Sequence, residues 1–220
     1  NPSPESLKKN ALFLGIRRKK ANVSRGRSFS SSIDFQALMP RIIAGRLRGR
    51  RLVTPAGAAT RPTAERVRQA LFDMLAHASW AEGSLSGAQV LDAFAGSGAL
   101  GLEAFSRGAA RVDFIEHDRA ACAAIAANIA SLAPGTPLRL HRADALRPPP
   151  GQPCSLVLLD PPYGKNLVFP ALAALREAGW IAPAALIVAE LGHGEEIPPA
   201  LGPPLAARGH GAAQILIWRG

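Results

Sequence analysis

The sequence predicts an α/β protein: a mostly parallel sheet with helices on both faces, an antiparallel hairpin at the C-terminal end, and a small N-terminal extension. Three observations predict it. From Gln89 onward, short apolar or β-branched runs alternate with helical ones, and repeated βα units pack as a parallel sheet covered on both sides. A glycine-rich turn, Gly96-Ser97-Gly98-Ala99-Leu100-Gly101, joins the first strand of that series to its helix. Two last apolar runs, Leu205–Arg208 and Gln214–Trp218, flank Gly209-His210-Gly211, the pattern of a closing hairpin.

Residues 1–38 show no sustained period and crowd Ser28, Ser30, Ser31 and Ser32 together, so they are expected to be a disordered basic leader. An organellar transit peptide, or a true start at Met39, are the alternatives. Arg41-Ile42-Ile43-Ala44-Gly45 and Arg50-Arg51-Leu52-Val53 read as two short strands around an Arg/Gly turn. Thr60-Arg61-Pro62-Thr63 then enters a helix, with Thr63 as a candidate N-cap. Val67, Leu71, Met74, Leu75 and Ala78 form its apolar stripe, and Arg61, Arg66 and Arg68 lie off it. Residues 39–82 therefore form the N-terminal part and 83–220 the main domain. Within the latter, strands are expected at Gln89–Phe94, Arg111–Ile115, Leu138–Arg142, Ser155–Leu159 and Ala185–Glu190. Helices are expected at Ala99–Ser106, Arg119–Ser131 and Asn166–Ala178. A hairpin ending such a sheet is typical of class I methyltransferases, which have a Rossmann-like core.

With 220 residues, 48% of them hydrophobic, the chain can bury one good core. No apolar run approaches the roughly 18 residues of a membrane span. Cys122 and Cys154 fall inside predicted elements without metal-ligand or redox spacing, which fits a reduced, cytoplasmic protein. No metal is expected, and a monomer is the default. The charge is uneven. Residues 1–40 hold eight Lys/Arg against two Asp/Glu, and 41–72 hold eight Arg against one Glu. Residues 73–220 hold ten against thirteen. A mildly acidic body with a basic N-terminal element suits a polyanionic partner.

The glycine turn fits G-x-G-x-x-G, which by itself admits a dinucleotide. The carboxylates around it point elsewhere. Asp92 ends the first strand, Glu116 the second, and Asp144 follows the third. Pyrophosphate would be repelled there. S-adenosylmethionine would be served: Asp92 for its ammonium, Glu116 for its ribose hydroxyls, Asp144 for its adenine amine. Phe94, Ala95, Gly96, Ser97 and Gly98 would form the cradle, with His117 and Ala145 beside the adenosine. Asp118, just before a helix, is expected to cap it.

Asp160-Pro161-Pro162-Tyr163 follows the very apolar fourth strand. An exocyclic amine on a base is a poor nucleophile because its lone pair is delocalised into the ring. Hydrogen bonds to the Asp160 carboxylate and the Pro161 carbonyl would draw the lone pair out of conjugation. Pro161 and Pro162 stiffen that acceptor pair, and Tyr163 offers a ring on which an extruded base can stack. Nothing in the spacing places His141, His193 or His210 near these strand ends.

Arg41-Ile42-Ile43-Ala44-Gly45, Arg48-Gly49-Arg50, Arg61-Pro62-Thr63 with Arg66-Val67-Arg68, the Phe94–Leu102 string and Asp160–Tyr163 occur in that order. In this the chain resembles the RsmD family of bacterial small-subunit ribosomal RNA guanine-N2 methyltransferases, from about Arg41 to Trp218. The resemblance implies catalytic and base-stacking roles for Asp160 and Tyr163, and donor contacts for Gly96, Ser97, Gly98, Glu116 and Asp144. It also implies ribosomal RNA, free or in an assembling small subunit, as substrate. Arg46, Arg48, Arg50, Arg51, Arg61 and Arg66 would then grip phosphates, which positions RNA without reading bases. The tetrapeptide alone is shared with DNA adenine-N6 and cytosine-N4 methyltransferases. Those need a recognition insertion, and only short connections are seen here. A non-catalytic RNA-binding module on the same fold is the alternative of another class.

Overall fold

A computed structural model describes residues 39–55, 62–81, 83–192, 194–195, 197, 201–211 and 213–220. Among them, helix α1 (Pro62–His77) and a 3-10 turn (Ser79–Ala81) precede an alternating series: β1 (Gln89–Ala93), α2 (Ala99–Ser106), β2 (Arg111–Glu116), α3 (Arg119–Leu132), β3 (Leu138–Arg142), β4 (Cys154–Leu159), α4 (Val168–Glu177) and β5 (Ile181–Gly192). Strands β6 (Ala206–His210) and β7 (Ala213–Arg219) close the chain. The seven strands form one sheet in the order β3-β2-β1-β4-β5-β7-β6. Strands β1 to β5 pair in parallel, and β7 runs antiparallel to both β5 and β6. This is the predicted class I arrangement, with the glycine turn at the carboxyl edge where the strand order reverses around β1 and β4.

Side-chain parity divides the core in two. Val90, Val112, Phe114, Leu156, Leu158, Val188 and Ile215 face one side, where Phe72, Leu102 and Ile125 from α1, α2 and α3 cover them. Leu91, Ile115, Val157, Leu159, Ile187 and Leu216 face the other, against Leu172 and Leu175 of α4 and Trp180. Each fully buried side chain of this size contributes on the order of 2 kcal/mol, so covering both faces stabilises the parallel strands.

Two local expectations differ. The 41–53 segment is a hairpin-like loop whose arms share an isolated bridge, Arg41 with Arg51, and a few backbone hydrogen bonds such as Ile42 N to Arg50 O at 2.9 Å, rather than two strands. Gly45 and Gly49, both at positive φ, coil the chain between the arms into turns, so the pairing does not extend into a regular ladder. Strand β5 starts at Ile181, earlier than expected, because its pairing with β4 jumps from Cys154–Ile181 to Leu156–Leu186 across an irregularity. Ala184, at φ 58°, lies inside that jump. Helix α1 starts at Pro62, which needs no N–H at that place, so Thr63 is inside the first turn and not before it. Cys122 and Cys154 are buried free thiols, pushed up in pKa first by burial. Among the described residues, no helix is long and apolar enough to cross a membrane.

Candidate active site

The glycine turn takes its shape from backbone that few side chains tolerate. Phe94, Gly96 and Gly98 have φ of 64°, 56° and 78°. Gly101 is needed for another reason: a Cβ there would meet Phe114 Cε1 at 2.4 Å and Val112 Cγ1 at 2.8 Å. Its bareness lets α2 lie close on β2. The carboxylate of Glu116 ties the turn to β2. Its Oε2 accepts from Gly96 N at 2.8 Å, and its Oε1 accepts from His117 N at 2.8 Å and Asp118 N at 2.7 Å. Three N–H donors leave about one acceptor direction of a carboxylate's four, fewer than the pair expected for two ribose hydroxyls.

Asp92 is placed differently from the expectation. It shares the strand face of Val90, the face that α2 covers, and it is 1% exposed. Its Oδ2 accepts from Gly101 N at 2.8 Å, so it supplies the N-terminal cap that Gly98, having no side chain, cannot. Burial first, against that bond, holds its carboxyl well above the usual range. Asp144 bends onto its own turn, accepting from Leu146 N at 2.9 Å and standing 3.9 Å from Arg147 Nη2. Ala145 and Ala95 are buried in the two cores. Asp118 caps α3, accepting from Ala121 N at 2.8 Å, as predicted.

What remains open forms a cavity of about 500 Å³. Phe94, Gly96, Glu116 and His117 line one side of it, and Asp160 to Tyr163 the other. Three carboxylates, Glu116, Asp118 and Asp160, border it and, among the described residues, no Lys or Arg does. Such a lining fits a cationic nucleoside and opposes a pyrophosphate. S-adenosylmethionine passes this test, with Phe94, Gly96, Glu116 and His117 as the residues that would hold it.

A second cavity, of about 530 Å³, lies on the far side of Asp160 and Tyr163, which border both. Its walls include Val67, Arg68 and Leu71 of α1, Leu100 of α2, Val188 and Glu190 of β5, His210 and Ile215. Asp160 is reached by solvent, yet protein crowds it on most sides. That crowding first, and the like charge of Glu190 second, raise its pKa to about 7. Tyr163 is 55% exposed, and its hydroxyl donates to Glu190 Oε1. The loop continues through Gly164, whose N–H donates to Glu195 Oε1 at 3.0 Å. The sequence does not point to Glu190. His210, which its spacing sets apart from the strand ends, is in fact beside Asp160 and Glu190 in this cavity, because β6 folds back along β7. The signal is their place near or at the end of a strand, Glu190 two residues before the end of β5 and His210 at the end of β6, and it is legible only once the register is known.

The N-terminal segment docks on this site from behind. Glu103 of α2 is fully buried; its oxygens accept from Ile43 N at 2.7 Å, Ala44 N at 3.0 Å and Arg107 Nε at 2.7 Å. Buried Asn128 of α3 holds Val53 through both backbone groups (2.8 and 2.9 Å) and donates to the Ser97 carbonyl at 3.0 Å. Among the arginines expected to face a nucleic acid, Arg46 is exposed but its guanidinium is held on the protein surface. It stacks on Phe105, 3.7 Å from the ring centroid, and donates to the Phe105 carbonyl at 2.9 Å. Arg68, by contrast, is buried, donating to Arg41 O at 2.6 Å. Arg48 and Arg66 are exposed and border a common cavity of about 370 Å³. Arg50 is exposed, 3.4 Å from the Ser131 carbonyl, and Arg51 is exposed too. Arg61 lies outside the described residues. Among those residues no group of His, Cys, Asp and Glu is placed to hold a metal ion.

Comparison with known proteins agrees with this architecture. The family model described as Conserved hypothetical protein 95 matches residues 40–213. Ribosomal RNA small subunit methyltransferase D of Escherichia coli K12 is 42% identical over 152 residues, 68% of this chain and 73% of that one. The protein of the same name from Haemophilus influenzae is 37% identical over 155 residues, 68% of this chain and 77% of its own. The solved yhhF structure of Escherichia coli is 36% identical, covers 82% of this chain and 97% of its own, and superposes with a TM-score of 0.70. An RNA methyltransferase of Salinibacter ruber, 14% identical with a TM-score of 0.51, shares the fold. The chain belongs to the Conserved hypothetical protein 95 family, that is, the RsmD family.

Proposed function

We propose that this protein transfers a methyl group from S-adenosylmethionine to the exocyclic N2 amine of a guanine in small-subunit ribosomal RNA. One observation carries the reading: Asp160 and Tyr163 form the shared wall of two cavities, one bordered by carboxylates and the glycine turn, the other apolar with a polar end. A nucleoside donor suits the first cavity and a planar base the second. The names of the relatives, methyltransferases of small-subunit ribosomal RNA, support RNA over DNA as the substrate. Cellular ribosomal RNA implies a cytoplasmic setting, and residues 39–82 carry the arginines for its phosphates.

When bound, the donor supplies an activated methyl group on a sulfonium. The protein's own part is to prepare the amine. The Asp160 carboxylate and the Pro161 carbonyl accept its two N–H groups and draw its lone pair out of the ring. Buried Pro161 and the following Pro162 hold those acceptors in place beforehand. The Tyr163 ring, tied to Glu190 through its hydroxyl, offers a stacking face. An Asp160 carboxyl with a pKa near 7 is also suited to take up the proton that the amine sheds. Asp160→Ala is expected to bind S-adenosylmethionine within about threefold of wild type by calorimetry. It should methylate undermethylated small subunits at least ~1000-fold more slowly, the sum of lost orientation and proton transfer. Retained turnover in that variant refutes the assignment.

A further inference from the structure

Three polar side chains stand in a row where the apolar face of the sheet meets the second cavity. On β4, Leu156 and Leu158 lead to Asp160; on β5, Leu186 and Val188 lead to Glu190. Leu159 pairs with Ala189, so Asp160 and Glu190 are the next neighbours along adjoining strands. Glu190 pairs with Ile215 of β7, and β6 beyond it ends at His210, paired with Ala213. The side chains of Glu190 and His210 are 16% and 20% exposed, with Glu190 Oε1 3.5 Å from His210 Nε2. That nitrogen is buried and makes no hydrogen bond among the described residues. A carboxylate beside a carboxylate, ending on an unsatisfied ring nitrogen, is an unfavourable arrangement for an empty wall.

We propose that Glu190, with His210 beyond it, reads the Watson–Crick edge of the target base and so selects guanine. The proposal rests on the reading above and adds the residues that set base identity. Guanine presents N2–H, N1–H and O6 in succession: donor, donor, acceptor. The row Asp160, Glu190, His210 presents acceptor, acceptor and, as an Nε2–H, donor. Adenine offers an acceptor at N1 and a donor at its 6-position, which opposes this row at both places. Glu190 keeps acceptor capacity for N1–H after taking the Tyr163 hydroxyl, since a carboxylate has about four lone-pair directions. A base donating to both acids also relieves their mutual repulsion. Sites built to hydrogen-bond one edge reject the wrong partner strongly, because their own polar groups are then left unpaired.

The test uses particles assembled on ribosomal RNA that carries either guanine or 2,6-diaminopurine at the methylated position. Diaminopurine keeps the N2 amine but has an acceptor at N1 and an amine in place of O6. Wild type is expected to favour guanine by roughly 100-fold in kcat/KM. Glu190→Gln, whose amide can donate to N1, should lose activity on guanine and narrow that ratio at least tenfold, with donor affinity unchanged by calorimetry. Two results overturn the proposal: wild type methylating both bases within threefold, or Glu190→Gln slowing both equally, as a mere brace for Tyr163 would. A wild type that leaves guanine unmodified overturns instead the function on which the proposal rests.

Discussion

Asp160 is useful only as a carboxylate, because only that form accepts from the amine and takes its proton. Crowding by protein, with Glu190 as a second cause, raises its pKa to about 7. The neutral acid therefore dominates below that pH and the acceptor form above it. The profile of kcat/KM for the donor, which reports groups of the free enzyme, should climb with pH and level off above about 7. In Glu190→Gln the inflection should move lower, since a like charge has been removed. A flat profile between pH 5 and 8 contradicts this account of Asp160. Asp92 teaches the opposite lesson about residues. Its place at the strand end is legible in the sequence, but its parity with Val90 decides its direction, and that sends it under α2 to cap Gly101. Counting alternate residues from a buried valine would have found this. Glu116, of the same type at the next strand end, is held at the cavity by three backbone donors instead.

At the scale of elements, the loop before α1, the glycine turn and α3 are joined by one side chain. Asn128 is fully buried and satisfies Val53 N–H, Val53 C=O and Ser97 C=O together. Asn128→Ala leaves those three groups without their partner, so it should cost about 2–4 kcal/mol in chemical denaturation. Donor affinity should fall as well, because the Ser97 carbonyl that shapes the turn is released. A loss under about 0.5 kcal/mol would show that the segment docks without it. The βα alternation and nearly every strand and helix could be read from apolar periodicity, because parallel strands buried on both faces are continuous apolar runs. The 41–53 hairpin could not, since much of what holds it comes from distant Glu103, Ser106 and Asn128 and only a few backbone bonds join its own two arms. Arg46 was hidden for the same reason: an arginine that stacks on Phe105 has the same sequence neighbourhood as one that meets a phosphate.

For the molecule as a whole, charge and chemistry are separated along the chain. Residues 41–72 carry the cations, while the body that holds both cavities is mildly acidic. Among the exposed arginines in that block, Arg41, Arg48 and Arg66 border one cavity, and Arg48 and Arg66 are the pair proposed to meet phosphates. Replacing both with Ala should flatten the dependence of log affinity on log salt for ribosomal RNA fragments by roughly 1.5. Donor binding should be untouched. An unchanged slope would move the RNA contact to another face. Of the three strand-end carboxylates only Glu116 borders the donor cavity, and with the glycine turn and the tetrapeptide it made the two halves of the site legible beforehand. Their meeting was not, because it depends on β4 lying next to β1 and β5, a neighbourhood set by the folded sheet.

The claim on which all of this turns is that Asp160 stands between donor and base. A crystal structure with S-adenosylhomocysteine tests it most directly. The account predicts the nucleoside between Phe94, Glu116 and His117, with its sulfur facing Asp160 across the shared wall. A ligand bound away from Glu116, or a sulfur directed away from Asp160, would contradict it.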